Sequence, residues 1–235
     1  MASFWLAMSF TMQAKEDGKL NIMFDHYVGK QPLQFDSVNY KNGASQAFTV
    51  TKFKYYIGDI HLQRKNGADV VFTDYYLINE EEQESKKLML EPLPAGEYAG
   101  IEFIIGVDSL HNCSGAQSGA LDPVNGMFWT WNTGYIFLKL EGKSPASKSP
   151  GNFFEYHIGG YKQPANCIRK IRLAFNKVLS GESINELHIK VDVAEILKAK
   201  TIIDFSQLSS VADFHNATMI ADNYMDMFSI LSTKQ

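Results

Sequence analysis

Two tryptophans separated by one residue are the most distinctive chemical feature of the sequence. Trp129 and Trp131 lie in the stretch from Met127 to Leu140, which follows a polar turn and predicts a β-strand. Because side chains alternate along a strand, both indoles and Tyr135 are expected on one face. Such a face can be a core wedge, a platform for a ligand, or a site of tryptophan oxidation beside a metal. Large aromatic residues supply much of the burial in β proteins, which favours the core wedge over the other two alternatives.

Two histidines are candidate metal ligands. His26 has the parity of the apolar residues in the predicted strand Leu20–Val28, where an unpartnered imidazole is costly and needs a partner or a metal. His157 precedes the pair Gly159-Gly160, which would let a backbone or a ligand approach closely. If the two imidazoles converge, they suit copper or zinc. The alternative for each is a hydrogen-bonded histidine of the core or its rim.

Oxygen-rich segments offer a second kind of metal site. Asp108, Asn112 and Asp122 lie in or beside one loop and are candidate calcium ligands, although their spacing matches no EF-hand. The acidic run 80–84 indicates a solvated loop or a helical turn.

The two cysteines are candidates for one disulfide. Cys113 and Cys167 both lie in polar, loop-like surroundings, so an exported protein could join them. Neither has a second cysteine at the spacing of a zinc site. Two unpaired thiols are the alternative.

Composition indicates a globular chain that does not bind nucleic acid. The chain has 235 residues, 45% hydrophobic and 20% charged, with a net charge of -4. Its lysines and arginines are scattered rather than clustered on a basic patch. The sequence contains no G-x-S-x-G, no H-E-x-x-H, no phosphate-binding glycine loop and no dinucleotide fingerprint. We therefore expect a protein that is not an enzyme.

Strand patterns dominate the chain and turn residues separate them. The predicted strands cover Leu20–Val28, Ala47–Gln63, Asp69–Ile78, Tyr98–Val107, Met127–Leu140, Phe153–Ile158, Ile168–Asn176 and Leu187–Val193. An amphipathic helix is predicted near the C-terminus, on a stripe that includes Ala217, Ile220 and Tyr224. The pattern predicts an all-β fold, an antiparallel Greek-key β-sandwich with a short C-terminal helix. We expect one domain over residues 18–235.

The N-terminal residues 1–17 are expected to be the remnant of a secretory signal or a disordered tail. Their apolar stretch ends at Ala14 and is too short to cross a bilayer. A partly buried N-terminal tail is the alternative to export.

Several segments together resemble the methanobactin-associated copper-binding protein family, also called MbnP-like. The resemblance spans most of residues 18–230 and rests on His26 with Val28-Gly29, the turn at residues 94–98, and residues 103–112 and 119–123. It also rests on residues 53–62 and on residues 156–160, Tyr-His-Ile-Gly-Gly. Its most specific part is residues 126–135, Gly-Met-Phe-Trp-Thr-Trp-Asn-Thr-Gly-Tyr.

The resemblance implies an exported, non-catalytic copper-binding β-sandwich, located in the periplasm, secreted or associated with the outer membrane. It implies copper held by two histidines and by kynurenine, which a di-haem enzyme of the cytochrome c peroxidase type makes from tryptophan. His26 corresponds to one of these histidines. The region of the second has no histidine here, so His157 with Trp129 or Trp131 would have to substitute. The alternative is a metal-free binding or adhesion module of the same fold, with Trp129, Trp131 and Tyr135 as an aromatic platform.

Overall fold

A computed structural model describes residues 17–129, 134–180, 184–211 and 213–231. Residues 1–16, most of the predicted N-terminal tail, and Trp131 lie outside these ranges. The strands are, in chain order, β1 (Gly18–Val28), β2 (Gln31–Pro32), β3 (Tyr40–Lys41), β4 (Ala47–Arg64), β5 (Val70–Phe72), β6 (Tyr76–Asn79), β7 (Lys87–Leu93), β8 (Gly96–Ile105), β9 (Phe128–Trp129), β10 (Gly134–Tyr135), β11 (Leu138–Lys143), β12 (Phe153–Ile158), β13 (Arg169–Leu179), β14 (Ile184–Asp192) and β15 (Phe228–Ile230).

Helices are short by comparison. The α-helices are α1 (Ser109–Cys113), α2 (Val193–Ile196) and α3 (Phe214–Tyr224), and 3₁₀ turns cover Gln83–Lys86, Gly119–Leu121, Pro123–Asn125 and Pro150–Asn152. The predicted C-terminal helix is confirmed as α3, which buries Ala217, Ile220 and Tyr224. No helix in the described ranges is long and apolar enough to cross a membrane.

The strands form two main sheets. One has the order β15-β14-β1-β2, and β7 also pairs with β1. The other has the order β12-β11-β4-β8-β13, and β3, β5 and β6 also pair with the long strand β4. The predicted β-sandwich is confirmed, and its pairing is antiparallel apart from β1, which runs parallel to β14 from Lys19 opposite Ile184 to Tyr27 opposite Asp192.

Aromatic side chains join the inner faces of the two sheets. In β1, every second residue from Gly18 to Val28 is buried, as period-two alternation requires. Phe24 in β1 packs edge-on against Phe103 in β8, with ring centroids 6.5 Å apart. Tyr55 in β4 packs in the same way against Phe228 in β15 at 5.8 Å. The space between the sheets is therefore a filled core.

The predicted strand over Met127–Leu140 is three separate elements. β9 and β10 pair with each other, while β11 joins the second sheet between β12 and β4. Trp129 lies opposite Gly134, and Phe128 lies opposite Tyr135. Directly opposed residues share a face and adjacent residues alternate, so Trp129 and Tyr135 project to different faces. The predicted common face of these two residues was therefore wrong.

Candidate functional site

A pocket of about 740 Å³ lies where the end of β12 meets the β9–β10 pair and the start of α3. This volume is in the range of sites that hold small organic ligands, roughly 300–1,000 Å³. Aromatic side chains at its wall are Trp129, Tyr161 and Phe214, and polar ones include Glu155 and His157. The pocket therefore brings together three of the sequence-predicted site residues, Trp129, Tyr135 and His157.

A glycine at the end of β12 lets the Trp129 indole approach the backbone. A Cβ atom on Gly159 would lie 2.6 Å from Cζ3 of Trp129 and 2.4 Å from the carbonyl oxygen of Tyr135. Real side chains do not tolerate such contacts, so this arrangement requires glycine. The close approach expected at Gly159-Gly160 is confirmed, and the neighbour is the β9–β10 pair.

His157 lies on the outer face of the second sheet with one ring nitrogen occupied. Its Nε2 is 2.8 Å from Oε1 of Glu141 on the adjacent strand β11. Hydrogen bonds from His157 and attraction to Lys52 hold the pKa of the Glu141 carboxyl below its ordinary value, against the opposing effect of burial. In the neutral form of an imidazole, donation from Nε2 makes Nδ1 an acceptor.

His26 lies in the core, in a polar cluster whose residues do not line the pocket. Its Nδ1 is 2.7 Å from Oε2 of Glu80, and its Nε2 is 3.1 Å from the hydroxyl of Tyr55. Lys86 donates to the same Glu80 oxygen at 2.8 Å. The side chains of His26, Glu80 and Lys86 are 1%, 12% and 15% exposed, so this is a nearly buried ion-pair network. Glu80 is therefore the hydrogen-bond partner that the buried position of His26 requires.

Burial and hydrogen bonding set the charges of this cluster. Burial lowers the pKa of His26 below its ordinary value of 6.5, although Glu80 acts to raise it. Burial acts to raise the pKa of Glu80, but the hydrogen bonds from His26 and Lys86 outweigh it and lower that pKa. At neutral pH the imidazole is therefore neutral, donates Nδ1–H to the Glu80 carboxylate and accepts from Tyr55 at Nε2.

The structure separates the two histidines that were expected to share copper. His26 points from β1 into the space between the sheets, where Phe53 and Tyr55 surround it. His157 points from β12 to the opposite, outer side of the second sheet, while its neighbour Tyr156 is fully buried. One ion at metal–nitrogen distances of about 2 Å cannot reach both rings. Within the part of the chain that the structure describes, no three His, Cys, Asp or Glu side chains are grouped to hold a metal.

The predicted calcium residues cap helices instead of meeting at one ion. Asp108 caps α1 through the His111 N–H at 2.9 Å. Asp122 caps the following 3₁₀ turn through the Val124 N–H at 2.9 Å. Asn112 is buried and accepts the Tyr135 N–H at 3.0 Å, which ties α1 to β10. These side-chain oxygens already accept hydrogen bonds from backbone N–H groups, which accounts for Asp and Asn at these positions.

Neither cysteine forms the predicted disulfide. Both are free thiols, with Cys113 exposed on α1 and Cys167 buried in the core. Burial raises the pKa of the Cys167 thiol to about 12. The Cys113 sulfur lies 3.4 Å from the hydroxyl of Tyr161. The two thiols therefore occupy different environments.

Tyr135 is a core residue rather than part of an exposed platform. It lines the pocket but its side chain is fully buried, and its hydroxyl donates to the carbonyl of Leu121 at 2.8 Å. Phe128 contacts its ring with centroids 5.0 Å apart. Sequence reasoning missed Tyr161 and Phe214 as the other aromatic residues of the pocket, because neither belongs to an alternating strand pattern.

Comparison with known proteins agrees with this architecture. No curated protein matches the chain. The solved structure of MbnP from Methylosinus trichosporium is similar, with a TM-score of 0.52 and 15% sequence identity over 81% of this chain and 80% of that chain. At this level of identity the likeness concerns the fold. The family model described as MbnP matches residues 17–218, and the chain therefore belongs to the MbnP family.

Proposed function

We propose that the chain is a non-catalytic binding protein of the MbnP family whose binding site is the pocket around Trp129. The close packing of Trp129 on Gly159 carries this proposal, because it fixes a large aromatic side chain in the wall of a pocket. A rigid aromatic residue offers a large contact area at low entropic cost. Glu155 and His157 add a few polar groups to orient a ligand, as in typical small-molecule sites.

The hydrogen bonding of His157 supports binding rather than catalysis. Its Nε2 is bonded to the Glu141 carboxylate, and no hydroxyl or thiol among the described residues is hydrogen-bonded to its Nδ1, so no nucleophile is paired with this imidazole. The sequence also lacks the common hydrolase and nucleotide-binding motifs. We infer that the pocket holds its ligand without transforming it.

Nuclear magnetic resonance tests where ligands bind. We expect that a set of small aromatic, sugar and ammonium compounds contains binders that shift the indole N–H resonance of Trp129 and the amide resonances of Gly159 and Gly160. The variant Trp129→Ala should weaken these binders at least about tenfold, since an aromatic contact contributes about 1–3 kcal/mol. Circular dichroism would verify that the variant is folded. Binders that shift only residues remote from Trp129, or a set with no binders, would contradict the proposal.

Copper at the same pocket is the second candidate function. His157 favours it, because a metal-bound histidine typically donates its other ring N–H to a carboxylate, as Nε2 does here to Glu141. The described residues supply one imidazole, fewer than the two histidines of the resemblance. Copper would therefore need a further ligand, such as one formed by oxidation of Trp129. A copper-binding function would also require export of the protein and a di-haem partner enzyme that oxidises the tryptophan.

Copper content of protein isolated from its native host distinguishes this candidate. His188 is a matched control, because its Nδ1 is 2.7 Å from a carboxylate oxygen of Asp25 and its side chain is 29% exposed, against 31% for His157. If copper binds here, His157→Ala should lose it and His188→Ala should retain it. The intact mass should also show one carbon replaced by one oxygen in a tryptophan. Equal copper in both variants, or an unmodified mass without copper, would exclude the candidate.

A further inference from the structure

We propose that the ligand of this pocket carries an organic ammonium group, an inference that rests on the proposed function of the pocket. Three aromatic side chains, Trp129, Tyr161 and Phe214, line the pocket together with the carboxylates of Glu155 and Asp213. The faces of aromatic rings carry negative charge density, so they attract cations that have lost part of their water. Aromatic rings combined with carboxylates are the usual surroundings of quaternary ammonium ligands.

A cation of the protein already uses one of these rings. The Lys162 ammonium lies 5.1 Å from the ring centroid of Tyr161, and both residues line the pocket. This contact is an internal example of the interaction that we propose for the ligand. Trp129 and the half-exposed Phe214 are further aromatic residues of the same pocket.

The carboxylates favour a cation over an anion. Glu155 is exposed, and its carboxylate has neither an ion pair nor a hydrogen bond to any other described residue. The N-terminus of α3 would otherwise attract an anion, but Asp213 already accepts the Asn216 N–H there at 2.9 Å. The residues that line the pocket include two carboxylates and one ammonium, that of Lys162, and the chain as a whole carries a net charge of -4.

A matched pair of probes isolates the role of charge. Choline carries the quaternary nitrogen, and its neutral isostere has a carbon atom in that position with nearly the same shape. We expect isothermal titration calorimetry to show choline binding about five- to thirtyfold more tightly than the isostere, the fold-change that corresponds to about 1–2 kcal/mol for a partly desolvated cation–π contact. Equal affinities, a preference for the isostere, or no choline binding would overturn the inference.

Two variants assign the charge preference to the pocket. Glu155→Gln should weaken choline severalfold more than it weakens the isostere, since the substitution removes charge but little volume. Glu84→Gln is the control, because the Glu84 side chain is 86% exposed and pairs with Lys87 outside the pocket. It should leave both probes unchanged. A choline affinity that responds equally to the two substitutions would reflect net charge rather than this site, and would also overturn the inference.

Failure of this inference can be told apart from failure of the proposed function. If neutral compounds shift the Trp129 resonance and choline has no advantage over its isostere, the pocket still binds ligands but does not select ammonium groups. If no compound shifts the residues of the pocket, the binding site itself is refuted.

Discussion

The variant Glu80→Ala is expected to lower the free energy of unfolding by about 3–5 kcal/mol, the usual cost of removing one partner from a buried ion pair. Glu80 accepts from His26 at 2.7 Å and from Lys86 at 2.8 Å, and all three side chains are nearly buried. Without the carboxylate, a buried N–H and a largely buried ammonium lose their partner. Denaturation in urea, followed by circular dichroism, measures this loss.

A neighbour in the same acidic run provides the control. Glu84 is 86% exposed and pairs with Lys87 at 3.1 Å, so Glu84→Ala should change the stability by no more than about 0.5 kcal/mol. If Glu80→Ala is as mild as Glu84→Ala, the buried network does not contribute to stability as the geometry indicates.

The same cluster gives the stability a pH dependence of defined sign. The pKa of His26 is lower in the folded protein than its ordinary value of 6.5, so the unfolded chain binds the proton first. The stability contributed by His26 is therefore complete above about pH 6.5 and is lost as the pH falls toward the folded pKa. Urea titrations at several pH values should show this fall in the wild type. Its presence in His26→Gln would assign it to another group.

The variant Gly159→Val is expected to disrupt the candidate site. The new Cβ would lie 2.4 Å from the Tyr135 carbonyl oxygen and 2.6 Å from the Trp129 ring, so β9 and β10 must move away from β12. Overpacking of this kind costs about 1–3 kcal/mol. Ligands that shift the Trp129 resonance should bind at least about tenfold more weakly, since the indole leaves its position in the pocket wall.

Gly115→Ala is the control, because it introduces backbone strain without a steric clash. Gly115 has a positive φ of 74°, but a Cβ atom there would meet nothing within 4 Å. Its substitution should cost about 1–2 kcal/mol through left-handed backbone strain and leave the Trp129 resonance in place. A Gly159→Val protein with unchanged ligand affinity would show that the close packing is unrelated to binding.

Local alternation predicted those elements whose faces differ clearly in polarity. The predicted strand Phe153–Ile158 matches β12 in both bounds. His157 and the double glycine that follows it both line the pocket. The prediction for β1 differed by two residues at its start, and the apolar side of His26 was also identified. In these strands the apolar residues occupy every second position, so the sequence alone is sufficient to predict which side chains point inward.

The segment with the paired tryptophans shows where alternation misleads. Its residues keep period two across Met127–Leu140, but Gly134 begins a separate strand that folds back on β9. Asn132 and Gly134 are turn-forming residue types and were a usable signal. Trp131 lies outside the described residues, so its relation to the Trp129 indole remains a prediction.

Composition, alternation and motifs in the sequence were sufficient to predict the β-sandwich class, the inward side of His26 on β1, and the resemblance to the MbnP family. Tertiary structure alone decided which side chains meet. Glu80 lies 54 residues from His26, and their contact depends on the packing of the segment after β6 against β1. Likewise, Trp129 reaches Gly159, and Phe214 reaches the same pocket from α3. Such contacts follow from long-range packing, whereas alternation reports only on which face of its own strand a residue lies.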